Sequence, residues 1–477
     1  MNAGNLPVIR LPVRIRENLT NLSRSSKNLG RLVIDSSKPV FRHYQFKLYP
    51  ESRQLPLASK SWTNRTSHGQ WLKIHSTQQH NSGLQSECGF NSLGLTPNVC
   101  DVLTAANIQH PTVIQALAIP KLLHLSNHVL LAANTGSGKT LAYLTPILQK
   151  SLENELSSSN ECAPIAVIAQ PSSDLCHQLL SVCKQINLTC EYLNNNTLPS
   201  SPVDVIVGCP GILVKNVRSI IRTRLRWVVL DEVDTLLDDS FIKVTKRVLQ
   251  DFNFQVGDDL VAQLVLSGAT LHSEFSELLN TTVDPKRLNI VKTPELHKVQ
   301  NNTTHHFYRV GPASHFSTLL KILRKFPNFQ TIVFCNTTAT CFEVHKFLQS
   351  ENIKCACLHG KLHNNDRRAI LELFSENFIS VLVATDVASR GIDPLSTRHI
   401  VNFDCPLHIS DYIHRSGRVG RIGSAKGSVT STIVTRPFQA SIVQNIERAV
   451  RLNKPLDSVD ANIQRKFREM HESNEVI

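Results

Sequence analysis

A glycine-rich segment constrains this chain more than any other feature. Residues 131–140 read Leu-Ala-Ala-Asn-Thr-Gly-Ser-Gly-Lys-Thr, after an apolar run and before residues with helical spacing. A strand, a glycine loop and a helix in this order let backbone N–H groups hold phosphate oxygens at a helix N-terminus. The sequence therefore predicts a nucleoside triphosphate site. The alternative is a glycine-rich surface turn.

Individual residues of this loop have predicted parts. Lys139 can reach the β- and γ-phosphates, and the Thr140 hydroxyl can hold Mg²⁺. Ala133 stands where the usual pattern begins with glycine, and it is small enough to fit. The predicted nucleotide-binding loop comprises Ala133, Asn134, Thr135, Gly136, Ser137, Gly138, Lys139 and Thr140.

Three carboxylates follow an apolar run at residues 227–230: Asp231, Glu232 and Asp234. Phosphoryl transfer needs an acid that holds Mg²⁺, often through water, and a group that orients the attacking water. We assign Asp231 to the first role and Glu232 to the second. The alternative is a solvated acidic turn.

Residues 414–421 place three arginines among glycines: Arg415, Arg418 and Arg421. They suit two functions, either a basic loop for RNA phosphates or an arginine finger that meets a γ-phosphate from across a cleft. The second function requires two domains to close for catalysis.

Short apolar runs alternating with helical segments predict α/β domains with parallel sheets covered on both faces. We expect a first α/β domain at 86–293, a polar linker at 294–304, a second domain at 305–440, and a C-terminal helix and tail at 441–477.

No apolar run is long enough to span a membrane. The 12 cysteines lack metal-ligand spacing, which favours a reducing compartment and no stable metal site beyond Mg²⁺.

Residues 1–85 are much more basic than the rest of the chain. They carry 13 Arg and Lys against Glu17, Asp35 and Glu51, which is +10 of the chain's +13. The acid-poor start, with Arg10, Arg14 and Arg16 among apolar residues, predicts a mitochondrial transit peptide, although a solvated tail or an RNA-gripping arm also fits. Residues 17–85 are expected to be mostly disordered.

The phosphate loop, Asp-Glu-x-Asp and His-Arg-x-Gly-Arg-x-Gly-Arg together resemble the DEAD-box RNA helicases of superfamily 2, over residues 90 to about 435. The resemblance implies two tandem RecA-like domains that bind ATP and Mg²⁺ between them. It implies that Gln115 reads adenine, with Phe90 as the upstream aromatic of the same motif. It also implies that Asp234 and Thr270 couple hydrolysis to strand separation.

The resemblance carries over further residues. Gly391 and Asp393 would face the nucleotide, and Arg418 and Arg421 would contact its phosphates. Residues implied to contact RNA are Pro210, Gly211, Thr337, Gly360 and Thr385.

The chain also departs from the family's pattern. Val233 replaces alanine, and Gly268 removes the hydroxyl that pairs with the last acid, for which Ser267 is a possible substitute. Ile108 replaces the aromatic that packs on adenine. RNA-side arginines are missing at Ser173 and Ile212, and Asn364 replaces a glutamine.

Residues 229–241, 263–270 and 411–424 are similar to the family's mitochondrial member of large ribosomal subunit assembly. We therefore expect an ATP-dependent RNA helicase of the mitochondrial matrix, acting on mitochondrial large-subunit ribosomal RNA and pre-ribosomal particles. The alternatives are an ATP-gated RNA clamp or assembly scaffold with weak unwinding, and a DNA translocase of the wider superfamily. Nucleus and cytoplasm are the alternative compartments.

Overall fold

A computed structural model describes residues 31–47, 49, 55–76, 86, 88–125, 127–155, 164–194, 201–220, 225–237, 241–252, 255–256, 259–260, 262–270, 285–386, 396–421, 427–457 and 459. The strands are β1 (Leu32–Ser36), β2 (His43–Tyr44), β3 (Trp71–Ile74), β4 (His128–Ala132), β5 (Ala166–Ala169), β6 (Cys190–Tyr192), β7 (Val205–Gly208), β8 (Trp227–Leu230), β9 (Gln255–Val256), β10 (Asp259–Leu260), β11 (Gln263–Gly268), β12 (Leu288–Lys292), β13 (Thr304–Arg309), β14 (Gln330–Cys335), β15 (Cys355–Leu358), β16 (Val381–Thr385), β17 (Thr397–Asn402) and β18 (Val429–Val434).

The α-helices are α1 (Pro97–Ala105), α2 (Val113–Leu123), α3 (Lys139–Glu155), α4 (Ser173–Gln185), α5 (Pro210–Ile220), α6 (Val233–Leu236), α7 (Ile242–Asp251), α8 (His315–Lys325), α9 (Thr338–Ser350), α10 (Asn364–Ser375), α11 (Ile409–Ser416) and α12 (Ala440–Leu452). None of the described helices is long and apolar enough to cross a membrane. Within the described ranges, no cluster of three or more His, Cys, Asp or Glu side chains could hold a metal ion.

The first domain is built on a seven-stranded parallel sheet in the order β12-β4-β11-β8-β5-β7-β6. Successive residues of its strands enter different apolar clusters: Val129 and Leu131 of β4 pack in one, and Leu130 packs in the other. Both faces of the inner strands are therefore buried, which explains why β5, β7 and β8 are continuously apolar rather than alternating. The two-stranded β9–β10 hairpin lies outside this sheet.

The second domain has a nine-stranded sheet in the order β15-β16-β14-β17-β18-β13-β3-β1-β2. From β15 to β13 every pairing is parallel. The N-terminal strands then continue the sheet in antiparallel fashion, with β3 pairing with β13 through Phe307 and Leu72, and β1 pairing with β3 through Ile34 and Ile74. A chain segment far away in the sequence thus completes this domain.

The prediction that residues 17–85 are mostly disordered is wrong for the described parts of 31–76. Ile34, Trp62 and Leu72 are at most 1% exposed and pack in the apolar cluster that includes Phe307 and Tyr412. An unpaired β13 would present open backbone N–H and C=O groups, and β3 satisfies them. The sequence gives little indication of these strands because the two longer ones, β1 and β3, have only five and four residues.

A buried carboxylate fastens this N-terminal segment to α12. Glu447 accepts hydrogen bonds from Ala58 N (2.9 Å), Ser59 N (3.0 Å) and Ser59 Oγ (2.6 Å). Arg451 donates to the same carboxylate over 2.9 and 2.6 Å, and both side chains are fully buried. The predicted C-terminal helix is therefore part of the second domain. The rest of the predicted tail, beyond residue 459, lies outside the described residues.

A chain that begins at residue 77 should be much less stable than one that begins at residue 31. The shorter chain uncovers β13 and leaves Glu447 without Ala58 and Ser59. Disrupting a buried charge network costs about 3–5 kcal/mol, and about 2–4 °C of Tm accompanies each kcal/mol in a domain of this size. We therefore expect the Tm of the second domain's unfolding, followed by calorimetry, to fall by roughly 10 °C or more. Equal Tm values for the two chains would contradict this role.

Candidate ATP and RNA site

The phosphate loop connects β4 to α3 as predicted, and its charged group is buried. Lys139 Nζ donates to Ala133 O at 2.6 Å and to Asn134 O at 3.1 Å, which holds the ammonium group inside the loop. Burial lowers the pKa of Lys139, and the nearby carboxylates of Glu232 and Asp231 oppose that shift. The loop thus fixes a cation beside the acidic cluster.

A cavity of about 530 Å³ opens beside this loop, within the size range of ligand pockets, roughly 300–1,000 Å³. Its lining includes polar residues, among them Lys139, Thr140 and Glu232, and apolar residues, among them Ile108 and Leu141. The hydroxyls of Thr135 and Ser137 are buried and, among the described residues, have no hydrogen-bond partner. Unsatisfied hydroxyls beside a buried cation fit a bound polyanion such as a triphosphate.

The carboxylate that we assign to Mg²⁺ is held by two side chains. Asp231 Oδ2 accepts hydrogen bonds from Tyr143 Oη at 2.9 Å and from Gln170 Nε2 at 3.0 Å. Asp231 and Thr140 line the same cavity. Their oxygens are of the type that Mg²⁺ prefers, so the residues fit the ion.

Glu232 has an unusual backbone conformation and an unusual environment. Its φ of 48° and ψ of 46° lie in the left-handed region, which non-glycine residues rarely adopt and which recurs at active sites. Burial raises the pKa of Glu232, the carboxylates of Asp234 and Asp231 raise it further, and Lys139 and Arg418 oppose them. A carboxylate with a raised pKa is a stronger base, as activation of a water molecule requires.

The second domain contributes Arg418 and Arg421 to the same cavity. The domains meet closely here: a Cβ at Gly136, which has a φ of 72°, would lie 2.5 Å from Arg421 Cγ. A Cβ at Gly417 would overlap the Thr135 hydroxyl. The two glycines therefore permit the arginine segment to rest on the phosphate loop, as an arginine finger requires.

The third arginine of this segment has a different part. Arg415 is 2% exposed, forms a bidentate pair with Asp386 (2.6 Å each), and donates to Asn336 Oδ1 (2.7 Å) and Asp404 O (2.9 Å). Carboxylates near Arg415 raise its pKa and outweigh burial, which acts in the opposite direction. Arg415 thus joins the ends of three strands within the second domain.

Further polar contacts cross between the domains. Arg367 forms an ion pair with Asp174, and Arg368 Nη2 lies 3.3 Å from His177 Nε2. His414 Nε2 lies 3.4 Å from Asp234 Oδ2. Asp174 and His177 belong to α4, so one face of this helix meets the second domain.

The structure joins Asp234 to Thr270. Asp234 Oδ2 accepts hydrogen bonds from Ala269 N, Thr270 N and Thr270 Oγ1, each at 3.0 Å. Burial raises the pKa of Asp234, but His414, Lys139 and Thr270 outweigh it, so the net shift is downward. Ser267 Oγ is buried and, in the described structure, has no hydrogen-bond partner, so Ser267 does not replace the hydroxyl missing at Gly268.

Two residues that were assigned to the nucleotide make contacts within the protein that the sequence did not predict. Phe90 is 6% exposed, packs in the apolar core and does not line the cavity, and its assignment as a nucleotide contact stays a prediction. Gln115 lines the cavity, but its Oε1 accepts from Thr112 N (2.9 Å) and its Nε2 donates to Gly138 O (3.0 Å). Gln115 therefore braces the phosphate loop, and its reading of adenine stays a prediction.

The residues assigned to RNA follow the carboxyl ends of parallel strands. Pro210 and Gly211 begin α5 after β7, and Thr385 ends β16. Thr337 follows β14 and caps α9 by accepting a hydrogen bond from Thr340 N at 3.1 Å, and Gly360 follows β15. In each domain these ends meet at one edge of the sheet. Gly391 and Asp393 lie outside the described residues.

Sequence reasoning missed three side chains that hold the site. Tyr143 and Gln170 orient Asp231, and His414 faces Asp234 from the other domain. Gln170 directly follows the predicted strand at 166–169, and that position was the available signal. Tyr143 is one helical turn beyond Lys139, on a helix whose spacing indicated only a core face.

Comparison with known proteins identifies the family. Residues 112–278 match the family described as "DEAD/DEAH box helicase", and residues 314–423 match "Helicase conserved C-terminal domain". The chain is 32% identical over 501 residues to the probable ATP-dependent RNA helicase DDX28 of Homo sapiens, covering 96% of this chain and 93% of that protein. The chain belongs to the DEAD-box ATP-dependent RNA helicases. It is therefore an RNA-dependent ATPase, as the sequence motifs implied.

Other relatives agree with this assignment. The ATP-dependent rRNA helicase RRP3 of Eremothecium gossypii is 30% identical over 402 residues, covering 82% of this chain and 79% of that one. The structure of S. cerevisiae Dbp5 bound to RNA and ADP BeF3 matches with a TM-score of 0.61 at 25% identity, over 80% of this helicase and 98% of that chain. Mss116p bound to ssRNA and AMP-PNP matches with a TM-score of 0.64 at 23% identity, over 79% of this helicase and 80% of that chain. The predicted tandem RecA-like fold is confirmed.

Reversing the charge of Arg367 should impair closure of the helicase. Arg367→Asp places two carboxylates together, and breaking a desolvated charge pair costs about 2–5 kcal/mol, so we expect RNA-stimulated ATP hydrolysis to fall about tenfold or more. Asp174→Arg combined with Arg367→Asp should restore most of the rate. Arg324→Asp, which breaks an exposed pair with Glu351 (3.2 Å) inside the second domain, is the control and should have little effect. A double variant as impaired as the single one would refute the pairing.

The raised pKa of Glu232 predicts the acid limb of the pH profile. Glu232 acts as a base only when ionised, and burial favours its protonated form. We expect kcat at saturating ATP and RNA to decline as the pH falls, beginning well above the ordinary glutamate pKa of about 4.3. Glu232→Gln should be nearly inactive and lack this limb. A wild-type kcat that stays constant down to about pH 5 would argue against the raised pKa.

Proposed function

We propose that this helicase uses ATP with Mg²⁺ to remodel mitochondrial large-subunit ribosomal RNA in pre-ribosomal particles of the matrix. The observation that carries the compartment is the acid-poor, Arg-bearing start of the chain, upstream of a segment that is built into the second domain. Because residues 31–76 contribute buried strands, a removable leader has to end before about residue 31. The similarity to an rRNA helicase, RRP3, supports the RNA class.

In the proposed hydrolysis, the basic and acidic residues of the cavity have separate roles. Lys139 and the backbone of the phosphate loop bind the β- and γ-phosphates, and Thr140 and Asp231 hold Mg²⁺, which neutralises phosphate charge when bound. Glu232 orients the attacking water and accepts its proton. Arg418 and Arg421 stabilise the charge that develops on the γ-phosphate.

The adenine is proposed to lie against apolar residues of the cavity lining, near Ile108 and Leu141. Gln115 would then link base recognition to the loop, because its carboxamide also bonds to Gly138 O. A branched aliphatic side chain in place of an aromatic one gives less stacking area. We therefore expect only modest affinity for ATP.

RNA is proposed to cross the edge where the strands end. The N-termini of α5 and α9 carry Gly211 and Thr337, and helix N-termini favour phosphate oxygens. Gly360 and Thr385 continue this edge in the second domain. Contacts to phosphates and 2′-hydroxyls make binding sequence-tolerant and dependent on salt.

An ATP-gated clamp with weak unwinding is the second candidate. Gly268, Ser173 and Ile212 favour it, because each lacks a polar group that the family uses for coupling or RNA. The cavity nevertheless keeps Lys139 and Glu232, which favours turnover. Steady-state hydrolysis beside duplex unwinding on the same samples separates the two candidates, and hydrolysis without unwinding identifies the clamp.

The compartment is tested by expressing the full chain and the chain from residue 31, each with a C-terminal fluorescent tag. We expect the full chain in mitochondria and the shorter chain in the cytosol. Residues 1–30 fused to a fluorescent protein should enter mitochondria, whereas a fusion with Arg10, Arg14 and Arg16 changed to Gln should not. Nuclear or cytosolic full-length protein would overturn the proposed compartment.

The RNA target is tested by crosslinking. Glu232→Gln should retain ATP and RNA together and enrich mitochondrial large-subunit ribosomal RNA after ultraviolet crosslinking in cells. Lys139→Ala, which loses the phosphate contact, is the matched control and should not enrich it. Enrichment of messenger or cytosolic ribosomal RNA would reject the proposed target.

A further inference from the structure

Two departures from the family's pattern, Val233 and Gly268, face each other. Val233 opens α6 directly after Glu232 and is 1% exposed. Gly268 ends β11, directly before the residues that hydrogen-bond to Asp234. A Cβ built on Gly268 would lie 3.0 Å from Val233 Cγ1, closer than the roughly 3.5–4.0 Å at which carbon atoms pack well. The valine methyl therefore occupies space that a side chain at 268 would need.

Neither partner can yield easily. Valine is stiff about χ1, so Cγ1 cannot rotate away without cost. Gly268 is fixed from the other side, because it pairs with Ala132 of β4 and its carbonyl accepts a hydrogen bond from Ala133 N at 3.2 Å. A side chain at 268 would push either on Val233, and so on Glu232 and Asp234, or on the first residue of the phosphate loop.

We propose that Val233 and Gly268 form one steric unit that positions the acidic segment 231–234 against residues 268–270. In this unit a methyl group fills the space left by the missing side chain at 268. Asp234 is held instead by two backbone N–H groups and the Thr270 hydroxyl. Val233 is thus a positioning residue. It compensates for the loss of the hydroxyl at 268, so this loss does not uncouple ATP hydrolysis from strand separation.

The unit also explains why the two departures occur together in this chain. Alanine at 233 with glycine at 268 would leave a gap beside Asp234, in a core that is otherwise fully buried. Valine at 233 with serine at 268 would be overpacked. Each single change should therefore disturb Glu232 and Asp234, and the two together should restore the fit.

The test is a double-mutant cycle in the full chain: wild type, Val233→Ala, Gly268→Ser and the double variant. RNA-stimulated kcat, KM for ATP, duplex unwound per ATP hydrolysed, and Tm are measured on each protein. We expect Gly268→Ser to lower kcat about tenfold with little change in KM, since overpacking displaces the catalytic carboxylate of Glu232. Val233→Ala should mainly lower unwinding per ATP, by several-fold. The double variant should recover to within about threefold of wild type on both measures.

Two further variants isolate the contact. Gly268→Ala adds the Cβ without a hydroxyl, so it should be impaired like Gly268→Ser and rescued equally by Val233→Ala. Val228→Ala removes the same volume from the same apolar cluster, on β8, and should not rescue either. A Gly268→Ser protein that hydrolyses ATP like wild type or unwinds more per ATP would overturn the proposal. Purely additive effects in the double variant, or rescue by Val228→Ala, would also overturn it.

Discussion

The burial of opposite charges in one cleft is the constraint on which the rest of this helicase depends. Asp231, Asp234 and Lys139 are all less than 9% exposed, although each has an ionisable side chain. Isolated buried charges are costly, so each of them needs partners at fixed distances. The ends of β4 and β8 supply that geometry, because the two strands run in the same direction on either side of β11 and bring their following loops to one edge of the sheet. The fold of the first domain thus holds the Lys139 ammonium group beside the three carboxylates of residues 231–234.

This charge cluster also connects the domains. Arg418 acts on the pKa of Glu232, and His414 acts on that of Asp234, both from the second domain. Any movement that withdraws residues 414–421 therefore changes the electrostatic environment of Glu232 and Asp234 as well as the arginine contacts. Closure and the competence of Glu232 are thus linked through the same few groups.

Strongly patterned elements could be predicted from the sequence, and contacts between distant segments could not. Residues 166–169 and 227–230 are strands at the predicted positions, because short continuous apolar runs that contain Val and Ile favour buried strands over other secondary structure. The ladder between β3 and β13 was missed since a four-residue strand carries too little periodicity to be recognised without its partner. Phe90 packs in the apolar core of the first domain, a contact that the sequence could not reveal because an aromatic side chain in a motif can serve packing as well as binding. In the sequence Arg415 resembles its neighbours Arg418 and Arg421. Only the structure shows that Arg415 joins strand ends within the second domain, whereas Arg418 and Arg421 line the cavity.

The changes on the RNA side of the first domain have a consequence for how the cleft closes. Ser173 removes a positive charge from the start of α4, while Asp174, the next residue, pairs with Arg367 of the second domain. An arginine at 173 would have stood beside Asp174 and competed for its carboxylate. Without it, Asp174 is committed to the contact between the domains.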